Sequence, residues 1–407
     1  MQVQCIKCKG RGFCGKEFCP VYAKAQAAFK VQRQVKEEFL SSSPAPFVGR
    51  VGYPFLNVGI LSPPEREENA WEYDAPRHWA REGYSISRVI ELRTSLVNSR
   101  FVSHIRAQDK LLEISREIGM ASKPVELEIH LEDKPVFHTN YDASMAPMGP
   151  NAKLKKAEIT SNPKIPREVE KATSDVDLKA QEALLYLHGK GHDENYLSKL
   201  LSVGTIGIKM QRKLVPTRWS ITAVDDFLGK QAIKEIKQHE AYEHCLYQGD
   251  FMGNYYYALM FPEKWSYELF ESYMPKASWN ISTELQYSTD NENYAGRKSY
   301  AENCAGGYYA ARLAITERLA ELKKQSSVLC LRFITGEYAA PLGVWVCREA
   351  TRKAMANKPI FFDERNTMLR YIRALAIRKF GCDIEKILNE SKLLKEIKAQ
   401  SKLSSFM

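Results

Sequence analysis

Four of the nine cysteines fall at the start of this 407-residue chain, as Cys5, Cys8, Cys14 and Cys19. Their spacing is C-x2-C-x5-C-x4-C, interleaved with Gly10, Gly12 and Gly15. A segment this short cannot bury a core, so a cross-link or a metal must order it. Four thiolates this close suit one tetrahedral Zn²⁺, each at about 2.3 Å. The glycines permit the tight turns of such a knuckle. Four thiolates fill the coordination shell, so the expected role of the zinc is structural. Disulfides are one alternative. An iron–sulfur cluster is another, because Cys19-Pro20 occurs in one cluster signature. The other cysteines, Cys245, Cys304, Cys330, Cys347 and Cys382, are scattered and read as small core hydrophobes.

Charge separates the ends from the body. The chain holds 59 Lys and Arg against 49 Asp and Glu, a net charge of +10. Residues 1–38 contain 8 basic and 3 acidic side chains, and residues 386–407 contain 5 and 2. The stretch 39–385 is nearly neutral. Lys7, Lys9, Arg11 and Lys16 surround the cysteines and are candidate phosphate contacts, although surface charge also serves solubility. At 44% hydrophobic and 27% charged residues the composition is globular. No apolar run is long enough to span a bilayer, and no apolar signal segment opens the chain. The expectation is a soluble, cytoplasmic, nucleoid-associated protein without a membrane partner.

Periodicity and punctuation predict an α+β chain. The expected parts are a C4 finger (1–22), a basic helix and linker (23–46), a mixed α/β core (47–385) and a helical tail (386–407). A subdomain boundary is expected near 144–166, which reads as loop. Ser41-Ser42-Ser43-Pro44-Ala45-Pro46 reads as the linker. Helices are expected over 84–97, 166–188, 308–324 and 363–380, the last ended by Gly381. A second tail helix is expected after Asp383, with Ile384, Ile387, Leu388, Leu394 and Ile397 at helical spacing. Strands are expected at 124–130, 254–261, 327–333 and 342–347.

Within the core, FVGRVGYPFLNVGILSPP (47–64) predicts strands and a tight loop around Arg50, Gly52, Tyr53 and Asn57. LVPTRWSITAVDD (214–226) packs Arg218, Trp219, Asp225 and Asp226 around one proline. Arg218 and Trp219 suit gripping a phosphate and stacking a base. Asp225 and Asp226 suit a divalent ion or a general base, while Asp225 equally reads as the N-cap of a helix that follows. Arg348 and Glu349 are expected at a strand end beside Arg332 and Glu337. Gly306-Gly307 before a helix suits a phosphate cradle or a plain turn. These residues together make a nucleotide a candidate ligand of the core. No G-x-x-x-x-G-K-[ST] loop and no clear acidic triad accompany them.

The chain ends Gln400-Ser-Lys-Leu403-Ser-Ser-Phe406-Met407. Residues three apart share one face of a 3₁₀ turn, which sets a polar hook, an aliphatic plug and an aromatic anchor side by side. This peptide resembles the PIP box, with which replication and repair proteins dock on the sliding clamp PCNA. Met407 stands where the commonest form has a second aromatic. The cysteine finger, FVGRVGYPFLNVG, LVPTRWSITAVDD, AGGYYAARLAITERL (305–319), GVWVCREATR (343–352) and the terminal peptide together resemble the archaeal Nre family of DNA repair proteins. The resemblance implies a role in DNA damage repair tied to the clamp. It transfers no catalytic residues, and the oligomeric state stays open. Two other readings are a core enzyme and a non-enzymatic repair scaffold. The enzyme would be a nuclease, nucleotide hydrolase or ADP-ribosyl transferase using Arg50, Arg218, Asp225, Asp226, Arg348 and Glu349.

Overall fold

Strict alternation in Val125–Leu131 shows how the first half of the chain is built. Val125, Leu127, Ile129 and Leu131 are buried, and the residues between them are partly exposed. Such a strand has one face on a core and one towards solvent. The computed structural model describes Cys8, Arg11 and residues 19–135, 146–275, 277–280 and 282–399. It divides into two units, residues 2–227 with 340–342, and residues 228–339 with 343–407. The fold class is α+β, with a six-stranded mixed sheet in each unit. Among the described residues no helix is long and apolar enough to cross a membrane.

The N-terminal sheet comprises β1 (Glu38–Ser43), β2 (Ala45–Val48), β3 (Phe55–Ser62), β4 (Val97–His104), β5 (Val125–Leu131) and β6 (Asn151–Ile159). Their order is β1-β5-β6-β4-β3-β2, antiparallel except where β4 meets β6. Ile60, Val97, Leu127, Ile129 and Leu154 form one apolar cluster with Ile114 and Ile118 of the 110–120 helix. Asp109 starts that helix by accepting the Leu112 N–H at 2.9 Å. In β6 the register shifts opposite His130 and Leu131, so Lys155 and Lys156 are both exposed.

Three expectations change here. The Ser/Pro stretch at 41–46 is not a linker but lies within β1 and β2. Its serines are buried because Ser41 donates to the Pro63 carbonyl and Ser43 to that of Leu61, at 2.5 and 2.7 Å. The loop read at 144–166 contains β6. The helix expected over 166–188 breaks at Asp175, whose carboxylate accepts the N–H groups of Asp177 and Leu178 at 3.0 Å.

The second sheet comprises β7 (Cys245–Phe251), β8 (Asn254–Phe261), β9 (Ser266–Tyr273), β10 (Gln286–Glu292), β11 (Ser327–Ile334) and β12 (Ile360–Phe361). Their order is β10-β9-β11-β8-β7-β12. Every residue of β11 is buried, as expected of a central strand covered on both faces. Leu329, Leu331 and Phe333 pack with Met368, Ile372 and Ala376 of the 365–380 helix. The strand expected at 342–347 is instead the start of a helix, Trp345–Ala356. A short apolar run alone does not separate a buried strand from a buried helix. The tail forms two helices, Glu385–Glu390 and Lys392–Ala399, rather than one. They part at Ser391, whose hydroxyl donates to the buried Glu268 carboxylate. The same carboxylate accepts the N–H groups of Lys392 and Leu393, both at 3.1 Å.

Candidate functional site

Strand register in the N-terminal unit collects polar side chains on the sheet face opposite the core. Gly59 lies across from Arg100 and Leu61 across from Asn98. Asn151 lies beside Asn98, and Lys153 beside Arg100. Leu56, Val58 and Ile60 turn inward, which leaves Phe55 and Asn57 exposed on the other face. The turn before β3 brings Arg50 to the same place. Gly52 makes that turn with φ +93°, and a Cβ there would stand 2.7 Å from the Phe55 carbonyl oxygen. The result is a cleft of about 300 Å³ lined in part by Arg50, Asn57, Gly59, Asn98, Arg100 and Asn151. Among the described residues, neither guanidinium has a carboxylate partner, and no carboxylate lines the cleft.

The amides are arranged with one unmet need. Asn98 donates through Nδ2 to Asn151 Oδ1 at 2.8 Å. Its Oδ1 is buried and has no hydrogen-bond partner among the described residues. That oxygen lies 1.9 Å from where a Cβ on residue 59 would be. Only glycine leaves room for it.

A row of exposed rings stands beside the same loop. Tyr53 and Trp219 are 48% and 49% exposed, with ring centroids 6.3 Å apart. Phe55 is 58% exposed and meets His104 edge-on at 5.2 Å. Trp219 reaches Tyr53 because Thr217, at the start of its helix, accepts the Val48 N–H at 2.9 Å. The two segments singled out in the sequence are thus fastened together, although 169 residues separate that pair. Arg218 is exposed next to Trp219. Unpaired guanidiniums, amides with free capacity and open aromatic faces can hold phosphates and bases without any bond-making step.

Other sequence candidates lie elsewhere. The helix carrying Asp225 and Asp226 starts at Thr217, so Asp225 is not its N-cap but a buried residue of its interior. Arg348 and Glu349 are buried in the 345–356 helix, not at a strand end. Glu349 pairs with Arg352 at 2.6 Å, and Arg352 pairs with Glu317 at 2.8 Å. Arg332, buried in β11, pairs with Glu271. Gly307 makes room for that pair, since a Cβ there would lie 2.4 Å from Glu271 Oε1. The start of the 305–322 helix therefore faces a carboxylate, which argues against a phosphate cradle.

Cys5, Cys14, Lys7, Lys9 and Lys16 lie outside the described residues, as do Gln400, Leu403, Phe406 and Met407. Of the finger, Cys8 is buried and its carbonyl accepts the Arg11 N–H at 2.9 Å, closing a turn. Cys19 caps the 20–34 helix, its Sγ accepting the Tyr22 N–H at 3.4 Å. Such N–H···S contacts orient thiolate ligands. Among the described residues no group of three His, Cys, Asp or Glu could hold a metal ion. Burial pushes the Cys245 thiol up to about 12, and those of Cys304, Cys330 and Cys347 upward as well. They are core groups rather than nucleophiles.

Asn98, Arg100, Asn151 and Gly59 were not singled out from the sequence. The helix read over 84–97 ends at Ser95, and VNSRFVSH (97–104) is a strand that sets Arg100 and Val102 outward. That alternation was the available signal. Asn151 sat in the stretch read as loop.

The family model described as "Archaeal Nre, N-terminal" matches residues 13–280, and "Archaeal Nre, C-terminal" matches 292–406. The DNA repair protein NreB of Archaeoglobus fulgidus is 36% identical over 385 residues, covering 94% of this chain and 96% of the relative. The DNA repair protein NreA of Haloferax volcanii is 37% identical over 343 residues, covering 81% and 82%. The DNA repair protein NreA of Archaeoglobus fulgidus is 38% identical over 370 residues, covering 89% and 91%. No solved structure matches the chain.

Proposed function

Since the chain belongs to the archaeal Nre family, we propose that it is a DNA repair protein that holds single-stranded DNA on its N-terminal sheet while its last residues dock on the sliding clamp PCNA. What carries the DNA-binding part is the convergence of Arg50 and Arg100, without carboxylate partners, on a cleft beside the exposed rings of Tyr53, Phe55 and Trp219. A sheet face with open rings suits unpaired bases, whose faces are free to stack. The finger and the basic residues 1–38 add further phosphate contacts, with Lys7, Lys9, Arg11 and Lys16 around the metal. In this account Cys5, Cys8, Cys14 and Cys19 hold one structural Zn²⁺. The cap geometry of Cys19 and the turn at Cys8 support it. Metal analysis of the purified chain should find one zinc per chain, absent after Cys5→Ser with Cys8→Ser. Unchanged zinc would remove the finger from the account.

Titration of a labelled single-stranded 12-mer should show saturable binding that weakens steeply with salt. Replacing Lys7, Lys9, Arg11 and Lys16 by alanine should flatten that dependence without abolishing binding. Salt-independent binding, or none, would overturn the DNA-holding role.

A further inference from the structure

We propose that the cleft between Arg50, Arg100 and Asn151 receives the terminal phosphate of a single-stranded DNA, so that the protein holds DNA ends that carry one in preference to ends that do not. The inference rests on the preceding proposal that single-stranded DNA lies on this face.

The cleft is walled where β4 begins. There the Asn98 N–H donates to the Pro150 carbonyl at 2.8 Å. A Cβ on Gly149 would stand 1.7 Å from the Leu96 carbonyl oxygen, so that segment packs directly on the backbone before β4. The same segment carries Met148 and Asn151, which line the cleft. The rings stand where β4 ends. Phe55 lies across from His104, and the Ile105 N–H donates to the Pro54 carbonyl at 3.0 Å. Tyr53, Phe55 and Trp219 are exposed beside that end. From Gly59, opposite Arg100, to Phe55 is four residues, or about 13 Å of β-strand. The interior of a DNA chain would have to leave the cleft on two sides. An end leaves on one, towards the rings on which its first bases stack.

Charge points the same way. A phosphodiester carries one negative charge, whereas a phosphomonoester carries about 1.5 to 2 at pH 7 on three oxygens. Two guanidiniums offset that charge, each able to make a bidentate contact. No carboxylate among the described residues lines the cleft to oppose it. Asn57 and Asn151 are exposed and supply amide donors. Asn98 positions the second of these: its Nδ2 donates to Asn151 Oδ1 at 2.8 Å, which leaves Asn151 Nδ2 for the ligand. At about 300 Å³ the cleft is at the small end of ligand pockets and suits a phosphate with its sugar. DNA without an end phosphate reaches the same arginines through its outermost phosphodiester, with less charge.

The experiment uses the full chain and three thymine 12-mers, each labelled at an internal base. One carries a 5′-phosphate, one a 3′-phosphate and one neither. Wild-type protein should bind at least one phosphorylated 12-mer about tenfold more tightly than the unphosphorylated one, the difference one charge-assisted hydrogen bond makes. The 12-mer that gains identifies the end that is held. Asn151→Asp keeps the oxygen that accepts from Asn98 and puts a carboxylate into the cleft. Because residue 151 is exposed, this variant should fold normally and bind all three 12-mers equally. Arg100→Ala, also at an exposed position, should remove the preference too. Equal binding of the three by wild-type protein, or a preference that survives either variant, would overturn end recognition alone. Failure of wild-type protein to bind any of them would instead overturn the DNA-holding role beneath it.

Discussion

Replacing Glu292 by alanine is expected to destabilise the C-terminal unit by about 3–5 kcal/mol. Glu292 and Arg312 each have side chains about 1% exposed and meet at 2.7 Å. The second carboxylate oxygen accepts the indole N–H of Trp265 at 3.2 Å. Removing Glu292 takes a carboxylate away from a buried guanidinium and leaves an indole without its acceptor. Neither can reach water, because Tyr308 and Tyr309 flank Arg312, their ring centroids 5.7 and 5.3 Å away. Against a total stability of roughly 5–15 kcal/mol, that loss is large. Denaturant unfolding should show a midpoint shifted far down with little change in slope. A shift comparable to that of a surface substitution would mean the pair is not the core element its burial suggests. Arg348 and Glu349 belong to the same class of interior charge. Their alanine variants should therefore be judged for folding before any loss of activity is read as chemistry.

Removing residues 400–407 is expected to reduce clamp binding below detection in a pull-down, while the fold is retained. Phe406 and Leu403 would supply nearly all the apolar contact a surface pocket needs, and such anchors dominate binding energy. The helix that leads into the peptide is not a free tether. Glu268 of β9 caps it through Ser391, Lys392 and Leu393, and Leu393 is buried in the same unit. A docked tail would thus hold the C-terminal unit close to the clamp, raising its local concentration without new contacts. Full clamp binding by the truncated chain would place the docking surface elsewhere.

How legible this was from sequence depended on the kind of signal. PVELEIH and SVLCLRF gave strands because alternation, or complete apolarity flanked by turns, survives tertiary packing. LGVWVC was misjudged because a short apolar run does not separate a strand from the start of a buried helix, and the charged residues of Trp345–Ala356 follow it. Ser41–Ser43 read as linker by composition, yet each is buried, and carbonyls of another segment bond Ser41 and Ser43. Half of the cleft was visible: Arg50 and Asn57 stood out within a glycine-punctuated phrase, and Trp219 within its own. Their meeting was not, because a contact such as Thr217 to Val48 leaves no local trace. Asn98 and Asn151 were hidden for the same reason, each being an ordinary polar residue until strand pairing sets them side by side.

The most direct measurement is the salt dependence of binding to a thymine 12-mer, for wild-type protein and for Arg50→Ala with Arg100→Ala. Both arginines are exposed and free of carboxylate partners, so the fold should be unaffected. Each lost phosphate contact on a single strand lowers the slope of log K against log salt by about 0.7, so the double variant should lose about 1.4. Its affinity at low salt should fall at least tenfold. A double variant with the slope and affinity of wild type would show that DNA, if held, is held elsewhere than on this face.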